Sequence, residues 1–376
     1  MQIKIQSSKA SQFAFNLLWR FLSCFSPNLN KKWLMWELKE GAYEQVHIKN
    51  PVLKQEFFGK EFHSPFGLFL PFKGAEHSID AFIEMGFCFG EFGPYTLMEQ
   101  KLPVKMKFSK KKKGVMLLSD SYVNSGLPSM VPFFLKRRRF PILTGINLIS
   151  SMNTEPETIH ATGTLSAREE LQAMVQKIAP YCDYIVINAA HPSSELYETI
   201  GNHDAMFSLI ASLKKTIDFI APISPSKLLL EIPFDLTPAQ MLSVGEIVRE
   251  SVIDGVIVAG PRIIPRAESP FSKAPQPVSF YGAGEHKKII TMVKEMYRLT
   301  HGKKLIIAAG GVKNAQNAFN MLTAGASLIR IDTAVFFNGP KWISDMNNEL
   351  ASMILKQGFE SIREIIGIST NSQEYP

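Results

Sequence analysis

Two short segments near the carboxyl end of the chain carry residue types that hold phosphate groups. In the sequence Ala-Ala-Gly-Gly-Val, Gly310 and Gly311 let the backbone approach a ligand closely and turn its N–H groups toward an anion. Further along, Asp332 and Thr333 follow an apolar run, and the Thr333 hydroxyl can donate a hydrogen bond. Gly282, ahead of a helical pattern, adds another glycine turn. An ordinary turn explains any one glycine, but together these residues predict the site of a phosphate-bearing cofactor.

These segments follow the last two of eight apolar runs that alternate with helical patterns. The runs span 66–70, 88–92, 142–149, 184–189, 227–232, 255–259, 305–309 and 327–331. The main helical patterns cover 167–178, 206–217, 238–250, 285–299 and 315–322. Continuous apolar runs are typical of parallel strands covered on both faces. The order predicts an α/β fold, a (β/α)8 TIM barrel, whose loops after strands seven and eight form the usual phosphate site.

The competing fold is an open doubly wound sheet, but the first apolar run lacks the Gly-x-Gly-x-x-Gly turn that such sheets use. Two stretches, 101–113 and 261–278, interrupt the alternation. Long segments of this kind are uncommon without a purpose, and in a barrel the loops after the strands build the active site. We therefore expect both stretches to be long loops at the mouth of the barrel.

The chain is predicted to have two parts, a helical segment over 1–50 and the barrel over 51–376. In the first part Phe13, Leu17 and Phe21 recur at helical spacing, and a second short pattern rich in Trp and Leu follows. No window reaches the ~18–20 uninterrupted apolar residues that a membrane-spanning helix needs. Two interpretations stay open: helices that lie at a membrane interface among Lys and Arg side chains, or helices that cap the bottom of the barrel.

The formal net charge is +7, and much of the excess lies in two basic runs, 110–113 and 136–139. No nucleic-acid reader motif accompanies them, so they favour a solvated loop or a surface facing anionic lipid or ligand, and we expect no nucleic-acid partner. Cys24, Cys88 and Cys182 lie far apart and form no Cys-x-x-Cys pair. We therefore expect no disulfide framework and no metal site, and a reducing compartment fits best.

Several segments together carry a likeness to a known family. They are Gly-Ile-Asn at 145–147, Tyr-Ile-Val-Ile-Asn at 184–188, the pair at 310–311, Ala-Gly-Ala-Ser-Leu-Ile at 324–329, and the closing 358–367. They are similar to class 2, quinone-linked dihydroorotate dehydrogenases. The resemblance implies an FMN enzyme of pyrimidine biosynthesis that oxidises dihydroorotate to orotate and passes electrons to quinone. The family's N-terminal helical pair binds quinone and docks on the membrane, which implies peripheral contact at the cytoplasmic face of a membrane or at an inner membrane.

The resemblance also implies roles for individual residues. His191 occupies the position of the catalytic base, where serine or cysteine is usual, and a histidine can serve because its reference pKa lies near neutrality. An exposed loop histidine without a role is the alternative. The implied substrate-binding residues are Asn124, Asn188 and Ser193. The implied cofactor-binding residues are Lys73, Asn147, Gly282, Gly310, Gly311, Asp332 and Thr333.

Other positions depart from the family pattern. Glu231 stands where the family has a lysine that touches the flavin, and Gly260-Pro261 replaces an Asn-Thr pair. Lys73 is displaced by one position from the family's other lysine. Loss of a cation beside the flavin weakens stabilisation of its reduced, anionic form. A second hypothesis is therefore a non-catalytic or altered-substrate barrel that binds FMN or phosphate and docks at a membrane.

Overall fold

The computed structural model of the chain describes residues 50–69, 79–100, 105–108, 115–119, 124–136, 141–150, 166–191, 194–264, 278–338 and 341–370. The predicted N-terminal helices therefore lie outside the described residues, as do Lys73 and Ser193. The first seven strands are β1 (Gln55–Phe57), β2 (Lys60–Phe62), β3 (Phe66–Phe69), β4 (Phe89–Tyr95), β5 (Lys105–Phe108), β6 (Val115–Ser119) and β7 (Leu143–Leu148). They are followed by β8 (Tyr184–Asn188), β9 (Lys227–Glu231), β10 (Gly255–Val258), β11 (Arg262–Ile264), β12 (Val278–Gly282), β13 (Leu305–Ala309) and β14 (Leu328–Ile331).

The helices of the described residues lie between and after these strands. They are α1 (Ile79–Glu84), α2 (Leu127–Lys136), α3 (Ala167–Ile178), α4 (Glu195–Thr199), α5 (His203–Ile220), α6 (Pro238–Glu250), α7 (His286–Leu299), α8 (Ala315–Thr323), α9 (Ala334–Asn338), α10 (Trp342–Lys356) and α11 (Ile362–Ile365). Within the described part of the chain, none of them has the length and apolarity that crossing a membrane requires.

Eight parallel strands close into a barrel in the order β3, β4, β7, β8, β9, β10, β13, β14. The pairing of β14 with β3 completes the ring, with Arg330 opposite Gly67. Each of the eight predicted runs forms one of these strands, and the predicted helices correspond to α3, α5, α6, α7 and α8. The (β/α)8 barrel is therefore confirmed. Strands β7 and β8 are buried at every position, because helices cover the outside and side chains fill the inside.

Local sequence signals fix where the helices begin. Ser166 caps α3 and Glu169 reaches back to the cap backbone, and Thr237 and Gln240 form the same reciprocal pair at the start of α6. Pro238 then occupies the first turn of α6, where a missing N–H costs nothing. These caps orient the helices so that their apolar faces pack on the barrel.

The two stretches expected to be long loops contribute strands of a second sheet. Strand β6 pairs with β5 on one side and with β12 on the other, and β12 also pairs with β11, all antiparallel. Val115, Leu117, Val278 and Phe280 form a separate apolar cluster within this sheet. The pairing joins the insertion after the second barrel strand to the insertion after the sixth. It also places the last residue of β12, Gly282, beside the ends of β13 and β14.

The close packing of β7 on β8 gives a direct test of the barrel. A Cβ atom on Gly145 would lie within the ring of Tyr184, its register partner, whose side chain is 1% exposed. We expect Gly145→Ala to lower the free energy of unfolding by about 1–3 kcal/mol, measured by urea denaturation, because a buried ring must move. Gly201→Ala is the matched control: its Cβ would approach only Gln240 Cγ, at 3.4 Å, so its stability should stay within about 0.5 kcal/mol. Equal stability of the two variants would contradict this packing.

Candidate functional site

Side chains from five barrel strands meet inside the barrel, because the strands are parallel and alternate residues point inward. They are Glu91 of β4, Asn147 of β7, Asn188 of β8, Glu231 of β9 and Arg330 of β14. All five are at most 4% exposed. Polar groups buried this deeply are stable only when they are hydrogen-bonded or paired. We call these five residues the mouth network.

Arg330 lies at the centre of the mouth network. Its Nη1 contacts Glu91 Oε1 and its Nη2 contacts Glu231 Oε1, each at 2.6 Å. The guanidinium carbon also lies 4.6 Å from the centre of the Phe69 ring, a cation–π distance. Two short charge-assisted bonds and the ring face hold the arginine in one orientation across the barrel.

The two asparagines complete the hydrogen bonding of the carboxylates. Asn147 Nδ2 donates to Glu91 Oε1 at 2.9 Å and to Glu231 Oε2 at 2.7 Å. Asn188 Nδ2 donates to Glu231 Oε2 at 3.1 Å and to Asn147 Oδ1 at 3.0 Å, and its Oδ1 accepts from the Ala190 N–H at 2.9 Å. The structure thus brings together the predicted Asn147 and Asn188. It also shows that their amide hydrogens are engaged by Glu91 and Glu231.

The mouth network and the neighbouring Asp332 contain three carboxyl groups and one guanidinium. Burial, reinforced by repulsion from Glu231, raises the pKa of Glu91 despite the attraction of Arg330. Burial also raises the pKa of Asp332 to about 7, against the attraction of Arg330. Burial alone would lower the pKa of Arg330, but the charges of the surrounding carboxylates outweigh it and raise that pKa. Arg330 therefore stays charged, and both shifts favour the protonated forms of Glu91 and Asp332.

A small cleft adjoins the mouth network at the ends of β12, β13 and β14. Gly282, Gly310, Gly311, Asp332 and Thr333 line it together with Val312, Ile331 and Ala334. Gly310 and Gly311 both have φ of 72°, and Gly282 has φ of 121°, which is backbone that glycine adopts without strain. The structure thus brings together five residues that the sequence predicted as cofactor ligands. Their role in binding stays a prediction.

The donor set of this cleft fits a phosphate group. The Thr333 Oγ1 atom is buried and has no hydrogen-bond partner within the described part of the chain. A Cβ on Gly311 would lie 2.8 Å from Ile289 Cδ1, so a side chain there would crowd the wall of the cleft. An unsatisfied buried hydroxyl is unfavourable unless a ligand completes it. The cleft therefore suits the phosphate end of a cofactor such as FMN.

His191 follows the carboxyl end of β8 and is 1% exposed, so the alternative of an exposed loop histidine is wrong. Its main-chain oxygen accepts from the Ser194 N–H at 2.9 Å. Burial lowers the pKa of His191 to about 3 because the protein interior disfavours the imidazolium. The imidazole is therefore neutral at physiological pH.

Asn124 lies in the segment that precedes α2. Its Oδ1 accepts from the Gly126 N–H at 2.8 Å and from Thr96 Oγ1 at 3.2 Å, and its backbone forms an isolated bridge with Gln100. These bonds tie the loop after β4 to the start of α2. The predicted contact of Asn124 with substrate stays a prediction, as do those of Ser193 and Lys73.

Sequence reasoning missed three residues of this region. Glu91 and Arg330 each interrupt an apolar strand run, and a charge within a buried strand signals a buried partner, although not which one. His286, the first residue of α7, packs against Gly311, with its Cα 3.4 Å from the position of a Gly311 Cβ. Both His286 ring nitrogens are buried and have no hydrogen-bond partner among the described residues. Burial lowers the pKa of His286, although contact with the Gly311 backbone opposes this shift.

Comparison with known proteins gives a consistent result. A family model described as dihydroorotate dehydrogenase matches residues 52–354. A protein of Rhodospirillum rubrum named dihydroorotate dehydrogenase (quinone) is 27% identical over 319 residues, which cover 85% of this chain and 84% of that protein. A protein of Parvibaculum lavamentivorans with the same name is 23% identical and covers 95% of this chain and 99% of that protein. The crystal structure of DHODH from Eimeria tenella in complex with ferulenol superposes with a TM-score of 0.79 at 22% identity, covering 92% of this chain and 96% of that one, which shows a shared fold.

Removal of Arg330, the cation of the mouth network, should lower the stability of the protein by an amount that depends on pH. Arg330→Met leaves Glu91 and Glu231 buried without a counter-charge, and we expect it to lower the free energy of unfolding by about 3–5 kcal/mol at pH 8. The loss should shrink toward pH 5. An unpaired buried carboxyl has a higher pKa in the folded protein than in the unfolded chain. The variant's loss in free energy of unfolding therefore grows as pH rises above the pKa of the unfolded chain.

The control for this test is an exposed ion pair. Arg298→Met removes a 2.6 Å contact with Glu295, but the Arg298 side chain is 65% exposed, so stability should change by less than about 1 kcal/mol. Chemical denaturation at pH 5 and pH 8 measures both variants. An Arg330→Met protein as stable as the Arg298→Met protein at pH 8 would contradict the pairing.

Proposed function

The chain belongs to the dihydroorotate dehydrogenase family, and on that premise we propose that it is an FMN-dependent enzyme that oxidises dihydroorotate to orotate in pyrimidine biosynthesis and passes the electrons to quinone. The observation that carries this proposal is the glycine-lined cleft with its unsatisfied Thr333 hydroxyl at the ends of β13 and β14. FMN, when bound, would accept the hydride that leaves the substrate.

The cofactor would be held from its phosphate end. Gly282, Gly310 and Gly311 lack side chains and would let the phosphate approach the main chain closely, although the Gly310 N–H already donates to the Arg330 main-chain oxygen at 3.0 Å. The Thr333 hydroxyl would donate to the phosphate. Lys73 and Asn147 are the remaining proposed contacts. Asn147 would act from within the mouth network, where Glu91 and Glu231 already fix its amide.

The charge reversal at Glu231 is neutralised inside the barrel. Its carboxylate pairs with Arg330 at 2.6 Å, so the positive charge of this region lies on β14 instead of β9. The raised pKa values of Glu91 and Asp332 reduce the negative charge further. A mouth whose carboxyl charge is paired or reduced repels an anionic substrate less than one with unpaired carboxylates. Asn188, with Ser193 and Asn124, would supply the hydrogen bonds that orient it.

His191 is the proposed base that takes the proton from C5 of dihydroorotate. Its neutral imidazole is in the correct form to accept, but the burial that lowers its pKa to about 3 disfavours the imidazolium that results. His191 would therefore hold the proton only transiently before passing it on. The protonation state of His191 does not change between about pH 5 and pH 8. The rate of flavin reduction should therefore show no step near pH 6.5 due to this residue.

The two bacterial relatives compared above are named dihydroorotate dehydrogenase (quinone), which supports quinone as the proposed electron acceptor. We propose that the segment 1–50 provides peripheral contact with a membrane, at its cytoplasmic face or at an inner membrane, and the quinone access, while 51–376 forms the FMN barrel. The basic runs would face anionic lipid.

The central test of this function is anaerobic reduction of the flavin. The purified protein should be yellow, and dihydroorotate should bleach its flavin absorbance in a stopped-flow experiment, with no step in the rate near pH 6.5 due to His191. His191→Ala should bind FMN equally well but bleach at least ~100-fold more slowly, since it loses the base. His203→Ala, which removes a half-buried histidine at the start of α5, should match the wild type.

Each other outcome has a distinct meaning. A colourless protein that cannot be reconstituted with FMN contradicts the flavoenzyme. Bound FMN that dihydroorotate leaves oxidised contradicts the substrate assignment and supports the second hypothesis of an altered-substrate or non-catalytic FMN barrel. Equal bleaching by wild type and His191→Ala removes His191 from the chemistry.

Removal of the Thr333 hydroxyl should have opposite effects on protein stability and on FMN binding. Thr333→Val should weaken FMN binding about tenfold, measured by quenching of flavin fluorescence, because a donor to the phosphate is lost. The ligand-free variant should be as stable as the wild type or more stable, since an unsatisfied buried polar atom has been removed. Thr291→Val, whose hydroxyl bonds only along its own helix, should leave FMN affinity unchanged. Unchanged FMN affinity in Thr333→Val would contradict the proposed phosphate position.

A further inference from the structure

Asp332 lies at the boundary between the cleft and the mouth network. It lines the cleft, is 6% exposed, and places Oδ2 3.4 Å from the position of a Gly310 Cβ. Its Oδ1 approaches Arg330 Nε at 3.4 Å without the geometry of a hydrogen bond, so that oxygen has no hydrogen-bond partner in the described part of the chain. A buried carboxyl with a free oxygen therefore adjoins the Thr333 hydroxyl, which is also unsatisfied.

An ionised Asp332 would repel a bound phosphate. On the network side Asp332 meets one cation, Arg330, which Glu91 and Glu231 already share, so little positive charge remains for a further anion. Near the cleft, His286 packs against Gly311, the charge of Lys313 acts on His286, and burial keeps His286 toward its neutral form. Two anions side by side in a buried cleft repel each other strongly, because little solvent screens them.

We propose that Asp332 serves the cleft as a carboxylic acid that donates its proton to a bound phosphate monoester, so that phosphate binding is coupled to the uptake of a proton by the protein. The protonated side chain and the Thr333 hydroxyl then form a pair of O–H donors in the cleft that Gly282, Gly310 and Gly311 also line. Donation to the phosphate gives the unpartnered Thr333 hydroxyl an acceptor.

Burial and the nearby carboxylates support this state, since they raise the pKa of Asp332 to about 7. Below pH 7 the acid form is already present and binding needs no further proton, whereas above pH 7 the proton must be taken up from solvent. Affinity for the phosphate group should therefore fall as pH rises through 7, by up to tenfold per pH unit for one proton.

This inference rests on the proposed function, since the ligand end it concerns is the phosphate of FMN. The experiment is titration of the protein with FMN at pH 6, 7, 8 and 8.5, read by flavin fluorescence and by calorimetry. Calorimetry at pH 8 in buffers of different ionisation enthalpy, with no phosphate buffer, counts the protons taken up. Asp332→Asn, which keeps the shape but holds no titratable proton, is the matched variant. Riboflavin, which lacks the phosphate, is the matched ligand.

The wild type should take up close to one proton per FMN at pH 8, and its affinity should fall at least tenfold between pH 6.5 and 8.5. Asp332→Asn should take up almost none and lose less than threefold over the same range, and riboflavin binding should not depend on pH. At pH 8 the FMN phosphate is a dianion in solution (second pKa about 6), so the comparison with Asp332→Asn assigns the proton to the protein side. Competition by inorganic phosphate with the same pH dependence would show that the phosphate group alone is recognised.

Three results would overturn the inference while leaving the flavin function intact. They are tight FMN binding without proton uptake, equal pH dependence in wild type and Asp332→Asn, or equal pH dependence for riboflavin. Absence of FMN binding at every pH would instead remove the proposed function on which the inference rests. Should Asp332→Asn not fold, the proton count on the wild type and the comparison with riboflavin decide the matter.

Discussion

The double ion pair of Arg330 with Glu91 and Glu231 is the interaction on which the arrangement of this barrel depends. It connects β14 to β4 and to β9 across the interior, where all three side chains are at most 1% exposed. Removing three charges from water is costly, and such a cluster is tolerated only when the geometry is good and the other polar atoms are hydrogen-bonded. Here the Asn147 and Asn188 amides, together with a 3.3 Å bond from the Tyr184 hydroxyl to Glu91, supply those bonds.

This arrangement links the mouth network to the glycine-lined cleft. The mouth network gathers an excess of carboxyl groups around one cation, and the neighbouring Asp332 joins that excess to the glycine-lined cleft. Burial, reinforced by these carboxylates, raises the pKa of Asp332 and of Glu91. On the proposed account, charge balance as well as shape governs what the cleft binds.

The sequence predicted the barrel because continuous apolar runs and helical periodicity are local signals. It also predicted the phosphate cleft, since glycines after a strand and a threonine after the next one have a defined place in this fold. The pairing of Glu231 with Arg330 could not be predicted, because a charge reversal at one position gives no local sign of which distant residue compensates it. The burial of His191 could not be predicted either, because burial depends on segments that are distant in sequence. The sheet built from the two insertions depends on contacts between segments far apart in sequence.

The most direct test of this account is a crystal structure of the protein with FMN and orotate bound. We expect the phosphate in the cleft of Gly310 and Gly311, within hydrogen-bond distance of Thr333 Oγ1. Arg330 should still be paired with Glu91 and Glu231, and orotate should lie beside Asn188. A phosphate bound outside this cleft, or an Arg330 that leaves both carboxylates to reach the ligand, would contradict the account.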